Sequence, residues 1–277
     1  MGYFKTTTSL FAITIALAAA PAAAQDGLLF HMSADEDLTA DVAQGEAEPN
    51  FASHVSIRPD GRSGGYIEAQ GAQTLTWEAP GNIQAQRGTL SFFWRSREPV
   101  GRNEFPIFRV SYSDHSSWDM VWLRIDWNGS GFDAFVTDTN LSRSRVSWRG
   151  LETLDPDRWV HIAFAWDETT GVQLYIDGEL VGEQAGALTL DAGLDQMGPH
   201  SRIISPYQVQ SRYNFMRGGD LDELKVHDRA LSGTQIAALA RGGDVETAAP
   251  SITDDRWTAW RHRALHRHPQ GRIRQHL

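Results

Sequence analysis

Cysteine is absent from all 277 residues, so neither a disulfide framework nor a thiolate metal site is available, and stability must come from a large core. Long apolar runs are also missing. The one extended stretch, Leu10 to Ala20, falls short of the roughly 20 residues that a membrane helix needs. Lys5 precedes it and Ala22-Ala23-Ala24 follows, the small-x-small pattern of a signal peptidase site. Residues 1–24 are therefore expected to be a signal peptide cleaved after Ala24. The mature protein would be secreted or periplasmic and would retain no integral membrane segment.

Positive charge is scarce where a nucleic-acid binder would need it. The formal net charge is −10. Lys5 is the one charged residue before position 26, and residues 256–277 hold six Arg and no acid. Without those seven cations, residues 26–255 carry −17. Such a body is repelled by nucleic acid and anionic lipid, whereas it suits solubility and divalent cations. The hydrophobic share of 41%, with ten Trp and twelve Phe, excludes wholesale disorder.

What is present is alternation. In RWVHIAFAWDETTGVQLYIDG, Arg158 to Gly178, the side chains of Val160, Ile162, Phe164 and Trp166 share one strand face. Val172, Leu174 and Ile176 do the same on the next run. Asp167 to Gly171 supplies the turn, with Gly171 able to take positive φ, and Asp177-Gly178 makes a second. Further strands are read at Leu28–Met32, Tyr66–Trp77, Gly88–Arg95, Phe105–Tyr112, Asp119–Trp127, Phe132–Thr137 and Arg145–Trp148. Repeated strands with Gly, Asn or Asp at the joints predict an all-β fold, a two-sheet antiparallel sandwich. One helix is expected after Ser232, with Gln235 as its capping-box partner and Arg241-Gly242-Gly243 as its stop. The sandwich is placed at 25–245. Residues 246–277 form a linker and a basic extension, flexible or the remnant of a truncated gene.

Trp159/His161, Leu174-Tyr175-Ile176-Asp177-Gly178, Gly219-Asp220-Leu221-Asp222-Glu223-Leu224 and Arg229-Ala230-Leu231-Ser232 carry a family likeness. Together they resemble the laminin-G-like jelly-roll domains of the concanavalin-A-like lectin/glucanase superfamily. The resemblance implies a jelly roll, with glycan or protein surfaces as partners. Retaining glucanases of that superfamily place E-x-D-x-E or E-x-D-x-x-E on a concave strand, and no such spacing occurs here, so no catalytic residue is assigned.

Aromatic stacking by indoles beside polar side chains suits sugar rings. It singles out Trp118, Trp122, Arg124 and Asp126, with Val121, Leu123, Ile125 and Trp127 turned to the core, and adds Arg95 and Tyr175. Strand alternation puts Asp222 in line with Leu224 and Val226. A carboxylate there either accepts backbone N–H groups or ligates Ca²⁺, with Asp35 and Asp37 as co-ligands. Gly61-Arg62-Ser63-Gly64-Gly65 fits G-x-S-x-G formally, but the strand-like residues after it point to a glycine loop rather than a nucleophile elbow. His161 is expected to be a packed strand residue. The function expected is an exported, non-catalytic recognition module; the rival is an accessory domain or fragment of a larger polysaccharide-degrading enzyme.

Overall fold

The computed structural model describes residues 27–96, 104–112, 121–150, 155, 158–199 and 219–245. The leader, Trp118 and the segment 246–277 lie outside them. The strands are β1 (Leu28–Met32), β2 (Val42–Ala43), β3 (Phe51–Pro59), β4 (Gly65–Glu78), β5 (Arg87–Arg95), β6 (Phe105–Tyr112) and β7 (Val121–Trp127). They continue with β8 (Phe132–Thr137), β9 (Arg143–Trp148), β10 (Val160–Asp167), β11 (Gly171–Ile176), β12 (Glu179–Ala185), β13 (Leu194–Pro199) and β14 (Asp220–His227). A single helix, α1 (Gly233–Ala240), follows.

All pairings are antiparallel and form the expected two-sheet sandwich. The first sheet runs β12-β11-β10-β5-β14-β4, with β1 and β2 beside β14 and β3 on β4. The second runs β4-β13-β6-β7-β8-β9. β4 belongs to both: Ile67 pairs with Leu221 in the first sheet, and Trp77 pairs with Met197 in the second. At the opposite side, the backbone N–H of Arg145 on β9 donates to Gln184 on β12 at 2.8 Å.

Between the sheets lies an aromatic core. Phe92 stacks on Phe108 at 5.5 Å, Trp94 meets Phe132 edge-on at 6.1 Å, and Trp122 meets Trp166 at 5.3 Å. This core replaces the disulfides the sequence cannot make. Fully burying each such ring contributes on the order of 2–3 kcal/mol.

A smaller core lies on the outer side of the first sheet. There α1 lays Ile236 and Leu239 over Ala163 and Tyr175, with Leu231 and Val245 completing the cluster. The capping box forms as expected, Gln235 N–H donating to Ser232 Oγ at 3.3 Å and Ser232 N–H to Gln235 Oε1 at 3.0 Å. The β11–β12 turn uses Asp177 and Gly178 at φ 51° and 84°, the doubly left-handed geometry of a tight hairpin. A Cβ on Gly178 would come within 3.0 Å of Ala237 Cα and of Ala240 Cβ. Gly178→Ala is therefore expected to cost roughly 1–3 kcal/mol. Gly242→Ala, at φ 79° with open space around it, should cost less in the same melting experiment. Equal losses would show that contact with α1 contributes nothing.

Two irregularities change which side chains face where. Ser111 pairs with Val121 and Val110 with Leu123, so Trp122 is an extra residue bulged out of register and turned into the core. On β14, Asp222 pairs with Phe93 and Lys225 with Ser91, leaving Glu223 and Leu224 opposite one residue, with Glu223 at φ 53°. Asp222 thus sits on the outer face with Phe93, not in line with Leu224 and Val226.

Candidate functional site

The outer face of the second sheet carries an ordered polar surface. Register places Arg109 of β6 opposite Arg124 of β7, Arg124 opposite Phe135 of β8, and Phe135 opposite Arg145 of β9. Cross-strand partners share a face, so these four form one row. Arg124, Arg143 and Arg145 set their guanidinium carbons 5.6, 4.8 and 5.2 Å from the Phe135 ring centre. That explains how a phenylalanine on a sheet exterior can be 1% exposed.

One row along, Asp126 and Asp133 oppose each other. Arg124 grips Asp126 through Nε at 2.7 and 2.9 Å and Nη2 at 2.6 Å, an i to i+2 contact that only a strand permits. Asp133 accepts from Asn128 Nδ2 at 2.7 Å and lies 3.8 Å from Arg145. Burial raises the Asp126 pKa, opposed by Arg124 and reinforced by Asp133. Burial also lowers that of Arg109, opposed by Asp195 and reinforced by Arg124. Single-strand spacing could not reveal that two carboxylates meet here. Arg124 thus engages both oxygens of Asp126 in a charge-assisted, bidentate pair.

The predicted residues divide among several places. Arg124 and Asp126 lie together on this face. Arg95 lies on the other sheet, paired with Asp220 at 2.8 Å and seated over the rings of Trp159 at 4.4 Å and Tyr66 at 4.9 Å. Trp122 is a correction: it is fully buried against Trp166, because the bulge reverses the alternation on which its exposure rested. Tyr175 is a second correction. It is 3% exposed beneath α1 and donates its hydroxyl to Gln173 Oε1 at 2.9 Å. His161 is packed, edge-on to Phe93 at 5.0 Å, and burial, then Lys225, drives its pKa down to about 3.

Asp222 and Asp35 meet the same segment from two sides. Asp222 Oδ2 accepts from Arg62 and Ser63 N–H at 2.6 and 3.0 Å, and Asp35 Oδ1 accepts from Gly65 N–H at 2.8 Å. The glycine loop is thus the β3–β4 hairpin turn, clamped by two carboxylates. Asp37 accepts from Thr39 N–H at 2.7 Å in an acidic hollow of about 400 Å³ with Asp35, Asp41 and Glu48. Among the described residues, no group of three or more His, Asp and Glu is arranged to hold a metal ion. Asp222 and Asp35 both act as acceptors for backbone N–H groups of the loop.

A laminin G family model, described as the concanavalin A-like lectin/glucanases superfamily, matches residues 69–237. The chain belongs to this superfamily. No curated protein matches the sequence. Among solved structures, the concanavalin A-like domain superposes on the receptor-binding domain of botulinum neurotoxin type G with a TM-score of 0.57 at 12% identity. That match covers 78% of this chain and 51% of the other. The serotype D ligand-binding domain, solved in complex with N-acetylneuraminic acid, gives 0.56 at 13%, with 78% and 51% covered. Domain 4 of AbnA, an extracellular arabinanase of glycoside hydrolase family 43 from Geobacillus stearothermophilus solved with arabinotriose, gives 0.56 at 17% and covers 78% and 99%. The chain therefore spans about half the length of the toxin domains it matches. At these identities the likeness is one of fold.

Proposed function

We propose that this concanavalin A-like domain is an exported, non-catalytic module that recognises glycan through the outer face of its second sheet. The observation that carries this reading is the Arg124–Asp126 pair, set in a row of guanidinium groups over Phe135. Neighbouring sugar hydroxyls each offer one donor and two acceptors, and rigid planar donors beside carboxylate acceptors match that pattern without reorganisation. Arg124 and Asp126, with side chains 24% and 13% accessible, keep a small part of both groups open to a ligand. The binding domains among the structural neighbours support the same class of partner.

The accessory-domain reading draws support from one match, because the AbnA domain covered over 99% of its length is one domain of a polysaccharide-degrading enzyme. In both readings the domain binds and does not hydrolyse.

Binding to a glycan array, followed by titration of the strongest oligosaccharide with arabinotriose in parallel, tests the site. Arg124→Lys keeps the charge and loses the bidentate fork. It is expected to weaken binding about tenfold, roughly 1.4 kcal/mol, with the fold retained by circular dichroism. Unaltered affinity would overturn the assignment of this face, and release of reducing sugar by the wild type would overturn the non-catalytic reading.

A further inference from the structure

On the outer face of the first sheet α1 covers Tyr175 and Ala163. The part toward the start of β14 lies outside that cluster. Here Tyr66 and Trp159 are half-buried rings meeting edge-on at 5.7 Å. Arg95 lies against both and is locked by Asp220, whose side chain is 3% exposed. Beside them Arg62 lies over the Phe93 ring at 5.2 Å while remaining exposed. Among the described residues Arg62 has no salt bridge.

The electrostatics of this patch run against the protein as a whole. Outside its ends the chain is strongly acidic. Yet among the described residues Asp220 and Asp222 on this part of the face are both buried and engaged: Asp220 by Arg95, and Asp222 by the N–H groups of Arg62 and Ser63. Among the described residues, the partly exposed rings of Tyr66 and Trp159 and the exposed cation Arg62 remain toward solvent. The Asp222 clamp holds the loop that carries that cation, so Arg62 is delivered on a fixed backbone.

We infer that this surface is a second binding site, for a pyranose ring bearing a carboxylate, such as a uronate or sialate unit. The ring's C–H face would pack on Trp159 and Tyr66, and its carboxylate would meet Arg62 in a charge-assisted hydrogen bond. A neutral sugar gains only the first of these contacts. The site goes beyond the glycan reading of the second sheet and is separable from it, because the two faces lie on opposite outer sides of the sandwich.

The test uses the full mature chain and matched oligosaccharides ending in glucuronate, in sialate, or in a neutral hexose, measured by titration calorimetry. The wild type is expected to bind at least one acidic probe about tenfold more tightly than the neutral one. Arg62→Gln should abolish that preference, and being an exposed loop position it should leave the melting temperature unchanged. Trp159→Ala should weaken acidic and neutral probes alike. Arg124→Lys, on the other sheet, should leave the acidic preference intact. Equal affinity for all three probes, no binding of either acidic probe, or a preference that survives Arg62→Gln would each overturn the proposal. Loss of the acidic preference in Arg124→Lys would assign it to the second sheet instead.

Discussion

Replacing Trp122 by alanine is expected to remove roughly 3–5 kcal/mol of stability, a large part of what a domain of this kind possesses. The indole is 0% exposed, meets Trp166 at 5.3 Å, and sits where a bulge drives it between the sheets. Truncation leaves a cavity that neighbouring strands cannot close without losing register. Trp122→Phe should cost much less, because Trp122 Nε1 has no hydrogen-bond partner to forfeit. Denaturant titration of the two variants decides the matter. A small loss for the alanine variant together with weakened glycan binding would return Trp122 to the surface.

The second large effect is electrostatic. Burial raises the pKa of Asp222 from 3.8 to about 7, against the N–H groups of Ser63, Arg62 and Glu223, which pull it down; the nearby Glu223 charge adds to the rise. The folded state therefore holds a proton that the unfolded chain releases near pH 4. The corresponding stability is fully present below pH 4 and is lost as pH climbs through about 7. Buried His161 and His227, both lowered to about 3, act in the opposite direction: unfolding lets them take up protons below about pH 6.5, which costs stability in acid. Glu223, lowered to about 2 by His31 and Lys225 against its own burial, adds a further acid-side loss.

Because these trends overlap, the clean measurement is a difference. Asp222→Asn keeps an oxygen for the Arg62 and Ser63 N–H groups and cannot ionise. Its melting temperature relative to the wild type is expected to rise steadily between pH 4 and pH 8. A constant gap across that range would mean that Asp222 titrates as an ordinary carboxylate, as it would if a bound cation held it ionised.

The parts of the fold that could be read from the chain are those where alternation runs unbroken. β10 and β11 display Ile162, Phe164, Trp166, Val172 and Leu174 at strict two-residue intervals, and their turn follows from Gly171, which has φ 111°. Four strands were not anticipated: β2 is only two residues long, and β3, β12 and β13 lack that signal for physical reasons. β12 is an edge strand with no fully buried residue, so nothing selects apolar side chains along it. β13 is interrupted by a register shift between Leu194 and Gln196, and β3 pairs only with β4.

The misplaced site residues share a cause. Trp122 and Asp222 were assigned to faces by counting in twos, and one inserted residue in each strand reverses such a count. Tyr175 alternates correctly to the outer face, but α1, distant in sequence, covers it. Arg124 and Asp126 were legible because both lie in an undisturbed stretch of β7. The row that gives them meaning, from Arg109 through Phe135 to Arg145, joins four strands, and no spacing within one strand encodes it.

β4 contributes backbone pairing to both layers, with Ile67 tied into one and Trp77 into the other. The layers consequently cannot slide or part as separate plates. A motion opening a gap between them strains the strand they share, which couples the two outer faces mechanically in addition to the aromatic packing between the layers. A displacement imposed on one layer is thus carried into the opposite layer through the polypeptide itself.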